Sequence, residues 1–488
     1  MAKNNQKSFL VFLLIFIIIL SFICLKNLPF KIVRPVSYLS FNDLIRLGKQ
    51  AYPEKDLLLK LNKQLNIPYV QNTSFTKGLN KNSIRIAQWN IERGINIEAI
   101  KKVFSDKESY YYSYKNNLTK DQEEDLRREL NTLSNSDIIT LNEVDIGLPR
   151  TKYKNIVSEI SRSLNYNYAF ATEFVELSPL IYGQSLDKKK YLGLHGNAVL
   201  SRYPIKSAWI VRLPGCYRWY ESEINKQSPL EYGRRFSAKN VFNVEITNEV
   251  RHGSRCALIT NIELPTKETI TVISTHLEDK CYPSCRLKQM EYLLENIKNI
   301  RSPLVLAGDL NTSTTDTGPA SLTKEFSKRI KDPHFVSRQL ALALLPIGPP
   351  LTVNLISAIV GKTLQYKDPA APSIPVLFPN QEKRLFNYLK EFYFNDGETF
   401  NFGGEPERSS NGKRGLLANS NERQLKGFES TFRFERSYGI AYFKLDWFFV
   451  KPKRGRFEPF NGSTLKLVNE SCPNKISDHD PITVDLRI

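Results

Sequence analysis

Leu304–Thr312 reads LVLAGDLNT, and its two halves obey different rules. LVLAG is apolar and the right length for a single β-strand, whereas Asp309, Asn311 and Thr312 place a carboxylate, an amide and a hydroxyl directly beyond it. A strand end presents a side chain rigidly to a cleft, so oxygen donors there point to chemistry. The bland alternative is a turn, which Asp and Asn also favour.

Working outward, the same grammar returns on both sides. IRIAQWNI (84–91) leads to Asn90 and Glu92, DIITLNEV (137–144) to Asn142 and Glu143, and TITVISTHL (269–277) to Thr275 and His276. Downstream, KLDWFFV (444–450) encloses Asp446 between Leu445 and Trp447, and Ser477, Asp478, His479 and Asp480 precede the closing run ITVDLRI (482–488). A carboxylate flanked as Asp446 is needs a partner, and a histidine is a suitable one. YAFATEFVEL (168–177), GNAVLSRYPI (196–205) and FNVEI (242–246) read as further strands. LTKDQEEDLRREL (118–130) and SCRLKQMEYLLENIKNI (284–300) read as helices, the second with apolar residues at three-to-four spacing. Many strands with interspersed helices indicate an α/β or α+β layered domain.

The chain of 488 residues is 41% hydrophobic and 24% charged, which excludes general disorder. A single long apolar run, Phe9–Leu25, excludes a polytopic channel. Its 17 residues reach about 25 Å as a helix, the short end of a membrane span. The following CLKNLPFKIVRP offers no small-x-small cleavage site, so an uncleaved anchor is favoured over a signal peptide. The net charge is +19, of which residues 1–34 carry +5, and the remainder suits a polyanionic partner or an evenly spread solubility charge. Six cysteines exclude a disulfide-dense scaffold; Cys281 and Cys285 can bridge locally or pair elsewhere, and the count leans towards the outside of the membrane. Residues 1–34 are thus read as the anchor with its flanks, 35–82 as a connector and 83–488 as the main domain, interrupted at 313–440. Within that interruption, 335–361 is apolar but broken by Pro346, Pro349 and Pro350; it reads as a core helix pair or an interfacial segment.

The polar residues at the strand ends supply hard oxygen donors and two imidazoles, with no Cys–His ligand cluster, which favours Mg²⁺ or Mn²⁺ over structural zinc. In order, QWNIERG, LNEVD, GNAVLSRYPI, STHLE, AGDLNT, LDWFFV and SDHDP resemble the endonuclease/exonuclease/phosphatase superfamily over about residues 83–488, with 313–440 unmatched. That superfamily includes DNase I-like nucleases, apurinic endonucleases, neutral sphingomyelinases and inositol-polyphosphate phosphatases. The resemblance implies a four-layer α/β sandwich, DNase I-like, with the site at one end of two packed sheets; here an N-terminal transmembrane helix would precede it.

Carried over residue by residue, Glu143 is the main metal ligand, with Asn90 beside it, Glu92 at a second metal position and Asp478 near metal or water. Asp309 orients or deprotonates the attacking water and Asn311 holds a phosphate oxygen. His479 binds the scissile phosphate, oriented by Asp446. His276 matches the second histidine of the DNase I-like branch, with Glu173 as the acid that orients it, and Asn197 supports the floor. Both histidines are expected to be charged through their acids. The expected activity is metal-dependent phosphodiester hydrolysis by in-line attack of water, on nucleic acid or, alternatively, on a phospholipid or inositol phosphate. A non-catalytic binding protein on the same fold is the third reading. No obligate protein partner is implied.

Overall fold

A computed structural model describes residues 35–73, 82–181, 185–224, 249–312, 383–401, 428, 431–433, 442–473 and 475–488. The anchor, the apolar stretch 335–361, the run at 242–246 and nearly all of the Gly/Ser/Asn-rich segment 402–430 lie outside them. No helix among the described residues is long and apolar enough to cross a membrane.

The strands are β1 (Tyr69–Gln71), β2 (Ser83–Arg93), β3 (Ile138–Ile146), β4 (Asn167–Glu176), β5 (Leu194–Ser201), β6 (Ile205–Arg212), β7 (Arg251–Gly253) and β8 (Cys256–Glu263). After them come β9 (Thr269–His276), β10 (Leu304–Asp309), β11 (Phe432–Arg433), β12 (Tyr442–Phe443), β13 (Asp446–Lys451), β14 (Glu458–Thr464) and β15 (Ile482–Arg487). One eight-stranded sheet runs β1-β4-β5-β3-β2-β15-β14, with β7 beside β4, and a five-stranded sheet runs β13-β10-β9-β8-β6. Two expectations shift in detail. GNAVLSRYPI is not one strand: β5 ends at Ser201, and Ile205 opens β6 in the other sheet. Asp446 begins β13 instead of lying in its middle. Residues 35–73 form two helices and β1, which pairs antiparallel with β4.

Side-chain alternation explains how the sheets meet. Ile84, Ile86, Ala169, Ala171, Val199, Ile270, Val272, Val305, Ala307, Phe448 and Val450 share one buried cluster with residues from both sheets, so they form the inter-sheet layer. Residues one step out of phase, such as Ile273, Leu306, Trp447 and Phe449, pack instead with Met290, Leu293 and Leu294 of helix Pro283–Ile297 and Leu385 and Phe386 of helix Lys383–Glu391. The helix Ile156–Leu164 packs on β3 and β4 of the larger sheet. Helix, sheet, sheet, helix is the four-layer order expected. Helix ends follow local chemistry: Thr119 caps Lys120–Ser134, its hydroxyl accepting from Gln122 N at 3.4 Å while the Gln122 amide oxygen accepts from Thr119 N at 3.0 Å.

A disulfide joins Cys216 to Cys285 across 69 residues, and Cys281, the candidate for a local bridge, is not its partner. In the chain-entropy picture a loop of that length stabilises the fold by about 4 kcal/mol.

Candidate active site

On each inner strand, the inter-sheet face changes from apolar to polar towards one end. Along β2 it reads Ile84, Ile86, Gln88, Asn90; along β9, Ile270, Val272, Ser274, His276; along β10, Val305, Ala307, Asp309. Because side chains alternate, every second residue stays on this face, and the polar ones collect where the apolar layer stops. Register does the rest: Asp309 pairs with His276 on one side and Asp446 on the other, and Asn90 pairs with Asn142 in the facing sheet. Gly308 permits the close approach of β10 to β9, since a Cβ there would lie 1.8 Å from the Thr275 carbonyl oxygen.

Asp309 is the hub. Its Oδ2 lies 3.5 Å from His276 Nε2 and 3.6 Å from His479 Nε2, and accepts from Asn90 Nδ2 at 3.1 Å. Its Oδ1 accepts the Asn311 N–H at 2.8 Å, and its own N–H donates to Asn142 Oδ1 at 2.9 Å. Burial, with the Asp446 charge adding to it, pushes the Asp309 carboxyl up to about 7. Asn90 Nδ2 also donates to Glu143 Oε1 at 3.3 Å, so Glu143, Asp309, His276 and His479 share one cleft.

The two histidines are held differently. His479 Nδ1 meets Asp446 Oδ2 at 2.7 Å. Burial alone would depress this imidazole, but Asp446 and Asp309 outweigh it and hold its pKa well above the usual value. His276 Nδ1 meets Arg255 Nη1 at 2.8 Å, while Glu173 Oε2 is 3.9 Å away and accepts from Arg255 at 3.0 Å. Burial and the Arg255 charge hold His276 well below the ordinary histidine value. The expectation of two charged rings is therefore met at His479 and overturned at His276, because a cation stands between the ring and its acid.

Amides connect the two halves beneath the hub. Asp446 Oδ1 accepts from Gln88 Nε2 at 3.3 Å, Gln88 Nε2 also donates to Asn142 Oδ1 at 2.6 Å, and Asn142 Nδ2 donates to Asn197 Oδ1 at 2.8 Å. Asn197 Nδ2 then donates to Glu173 Oε1 at 3.0 Å, and Asn197 is fully buried. Gln88 and Arg255 escaped sequence reading. Gln88 stands two residues before Asn90 on the same face, a signal that was present; an Arg ahead of a mixed run such as CALITNIE is ordinarily a surface charge.

Glu92, Glu143 and Asp478 form the acidic side. The chain bends sharply there: φ is +46° at Glu92 and +54° at Glu143, with bulges in β2 and β3, and Asn311 across the cleft is at +50°. Non-glycine residues in this region cost energy and concentrate at functional sites. Desolvation and then the charges of Asp478 and Glu143 push Glu92 up to about 7, while Asp478 stands exposed at the mouth. Mutually repelling carboxylates with an amide oxygen among them are the donor set a hard divalent cation relieves, so the residues fit such an ion. Among the described residues no three His, Cys, Asp or Glu side chains are already drawn into a metal cage.

The endonuclease/exonuclease/phosphatase family model matches residues 87–479. A comparison with curated proteins gave no match. Solved structures similar to this chain include an endonuclease/exonuclease/phosphatase from Beutenbergia cavernae, at 15% identity over 84% of this chain and 72% of that one, TM-score 0.36. The human Nocturnin catalytic domain with bound sulfate is similar at 14% identity over 83% and 93%, TM-score 0.36. The 3'-5' exonuclease NExo from Neisseria meningitidis is similar at 10% identity over 83% and 100%, TM-score 0.38.

Proposed function

Because the chain belongs to the endonuclease/exonuclease/phosphatase family, a family of phosphoester hydrolases, we propose that it is a divalent-metal-dependent phosphodiesterase acting on a polyanion such as nucleic acid. The observation that carries this reading is Asp309 Oδ2 set between the Nε2 atoms of two histidines, at 3.5 and 3.6 Å. A carboxylate there aligns a water and takes its proton as the oxygen attacks phosphorus. His479, kept charged by Asp446, donates Nε2–H to a non-bridging phosphate oxygen and offsets the charge that builds on it. Asn311 presents its amide to the same group. Glu143, with Asn90, Glu92 and Asp478, would hold Mg²⁺ or Mn²⁺. That cation supplies Lewis-acid neutralisation of the phosphate. No side chain is needed as a covalent nucleophile.

The full chain should hydrolyse bis-(p-nitrophenyl) phosphate only with Mg²⁺ or Mn²⁺, and His479→Ala should lose on the order of 10²-fold or more. Full activity in EDTA would refute the metal requirement. Faster cleavage of DNA than of sphingomyelin or inositol phosphates at low salt supports the polyanion reading, and the reverse ranking transfers it to a lipid headgroup.

We propose further that Phe9–Leu25 tethers the domain to a membrane on its oxidising side, a placement the Cys216–Cys285 disulfide supports. Retention in membranes through a carbonate wash is the expected result. Recovery of the intact chain in the soluble fraction ends the idea.

A further inference from the structure

Arg255 occupies the place from which an acid was expected to orient His276. Its guanidinium carries only donors and stays charged at any working pH. Contact with His276 Nδ1 at 2.8 Å therefore makes Nδ1 an acceptor. A second proton there would set two N–H groups head-on, with His276 1% and Arg255 4% exposed, so no water could separate them. Arg255 cannot easily turn aside: Glu173 Oε2 at 3.0 Å, Asp279 Oδ1 at 3.3 Å and Glu278 Oε1 at 3.8 Å hold it on three sides.

The ring's other nitrogen faces Asn311 Nδ2 at 3.0 Å and Asp309 Oδ2 at 3.5 Å. Drawn literally, His276 has a donor at each nitrogen, and a neutral imidazole accepts from only one of them. The amide can yield and the guanidinium cannot: Asn311 Nδ2 has a second acceptor in the Leu277 carbonyl at 3.0 Å, so it can leave the ring for that bond, whereas three carboxylates pin Arg255. The other charges near the ring are Glu173 at 3.9 Å, Asp279, His195 and His479, and none of them touches Nδ1 more closely than Arg255.

We infer that Arg255 is a positioning residue that fixes His276 as the neutral tautomer with its proton on Nε2, aimed into the cleft. The inference rests on the hydrolase reading for its role: His276 donates a hydrogen bond to the substrate phosphate without adding charge, and His479 supplies the charge. The Glu173 carboxylate then acts on Arg255, and only through it on the ring.

The test reads the proton directly. In the full chain labelled with ¹⁵N-histidine, with signals assigned through His276→Gln, Nδ1 of His276 should stay unprotonated and Nε2 protonated from about pH 5 to about pH 8. In Arg255→Met the same ring should take up its second proton at a higher pH than in the wild type, and Arg255→Lys should restore much of the wild-type tautomer. A protonated Nδ1 in the wild type overturns the assignment, as does an Arg255→Met ring unchanged from wild type. If that variant fails to fold, the wild-type spectrum decides alone. A chain that hydrolyses no phosphoester yet shows the Nε2–H tautomer supports this assignment while refuting the hydrolase reading, so the two fail separately.

Discussion

His479 and His276 stand at nearly equal distances from Asp309, 3.6 and 3.5 Å, yet their surroundings have opposite sign. Behind His479 lies the Asp446 carboxylate; behind His276 lies the Arg255 guanidinium, itself neutralised by Glu173. Burial disfavours a charged ring in both places, and only at His479 do carboxylates, Asp446 first and then Asp309, reverse it. The lesson is that a motif histidine acquires its charge from the residue behind it. Two rings that look equivalent along the chain therefore differ in the charge their surroundings favour.

Replacing each ring by glutamine probes the contrast most strongly. An amide can imitate a neutral N–H donor but not an imidazolium. His479→Gln should lower kcat on the order of 10³-fold and His276→Gln only about tenfold, measured on bis-(p-nitrophenyl) phosphate near neutral pH. Equal losses would break the comparison.

The second probe concerns support. The chain leading from His276 through Glu278, Asp279 and Lys280 to Cys285 is stapled to the segment bearing Cys216, Trp219 and Glu223: Trp219 Nε1 donates to Glu278 at 2.9 Å and Lys280 pairs with Glu223 at 3.0 Å. Among the described residues no such crosslink reaches His479, which is held instead by Trp89 Nε1 and Asn469 Nδ2, donating to its carbonyl at 2.8 and 3.2 Å. Cys216→Ser combined with Cys285→Ser should lower global stability by about 2–4 kcal/mol in denaturant titration. An unchanged midpoint would show that the staple adds nothing to this half.

The smallest effect belongs to the scaffold under His479. Glu129 accepts from Val468 N at 2.9 Å, in the helix that also carries Asn469, and burial with a contribution from Asp480 pushes its pKa up to about 8. The folded state then holds this proton more tightly than the unfolded chain, whose value is near 4.5. Stability contributed by the bound proton is complete below about 4.5 and lost as pH rises towards about 8. Glu129→Gln keeps an acceptor and removes the titration, so it should gain on the wild type across that window by on the order of 1–2 kcal/mol. Thermal melts whose difference from wild type is independent of pH would count against it.

Much of the site is legible along the chain because period-two alternation is a local rule. A polar residue an even number of places beyond the last inward apolar one lies on the inward face: Asp309 is two beyond Ala307, Asn90 four beyond Ile86 and His276 four beyond Val272. The helices Lys120–Ser134 and Pro283–Ile297 are legible for the same reason at their own period. Strand β8 escaped because CALITNIE mixes polar residues into its run, and Arg255 escaped with it. The Cys216–Cys285 pairing escaped because connectivity depends on which loops meet. The stretch at 35–73 carries no long apolar run, and its edge strand β1 is three residues long, defined by its partner β4 more than by its own composition.

What the amino-acid order by itself determined is the set of strand ends, the residue types gathered at them and the presence of an acid, Asp446, between Leu445 and Trp447 that demands a proton-bearing partner. The family resemblance paired that acid with His479 in advance; only the tertiary structure decided that the other imidazole, His276, would face a guanidinium. The physical reason is range: alternation and propensity act over a few residues, whereas the field at a buried ring comes from groups 21 to 33 positions away that meet it across strands.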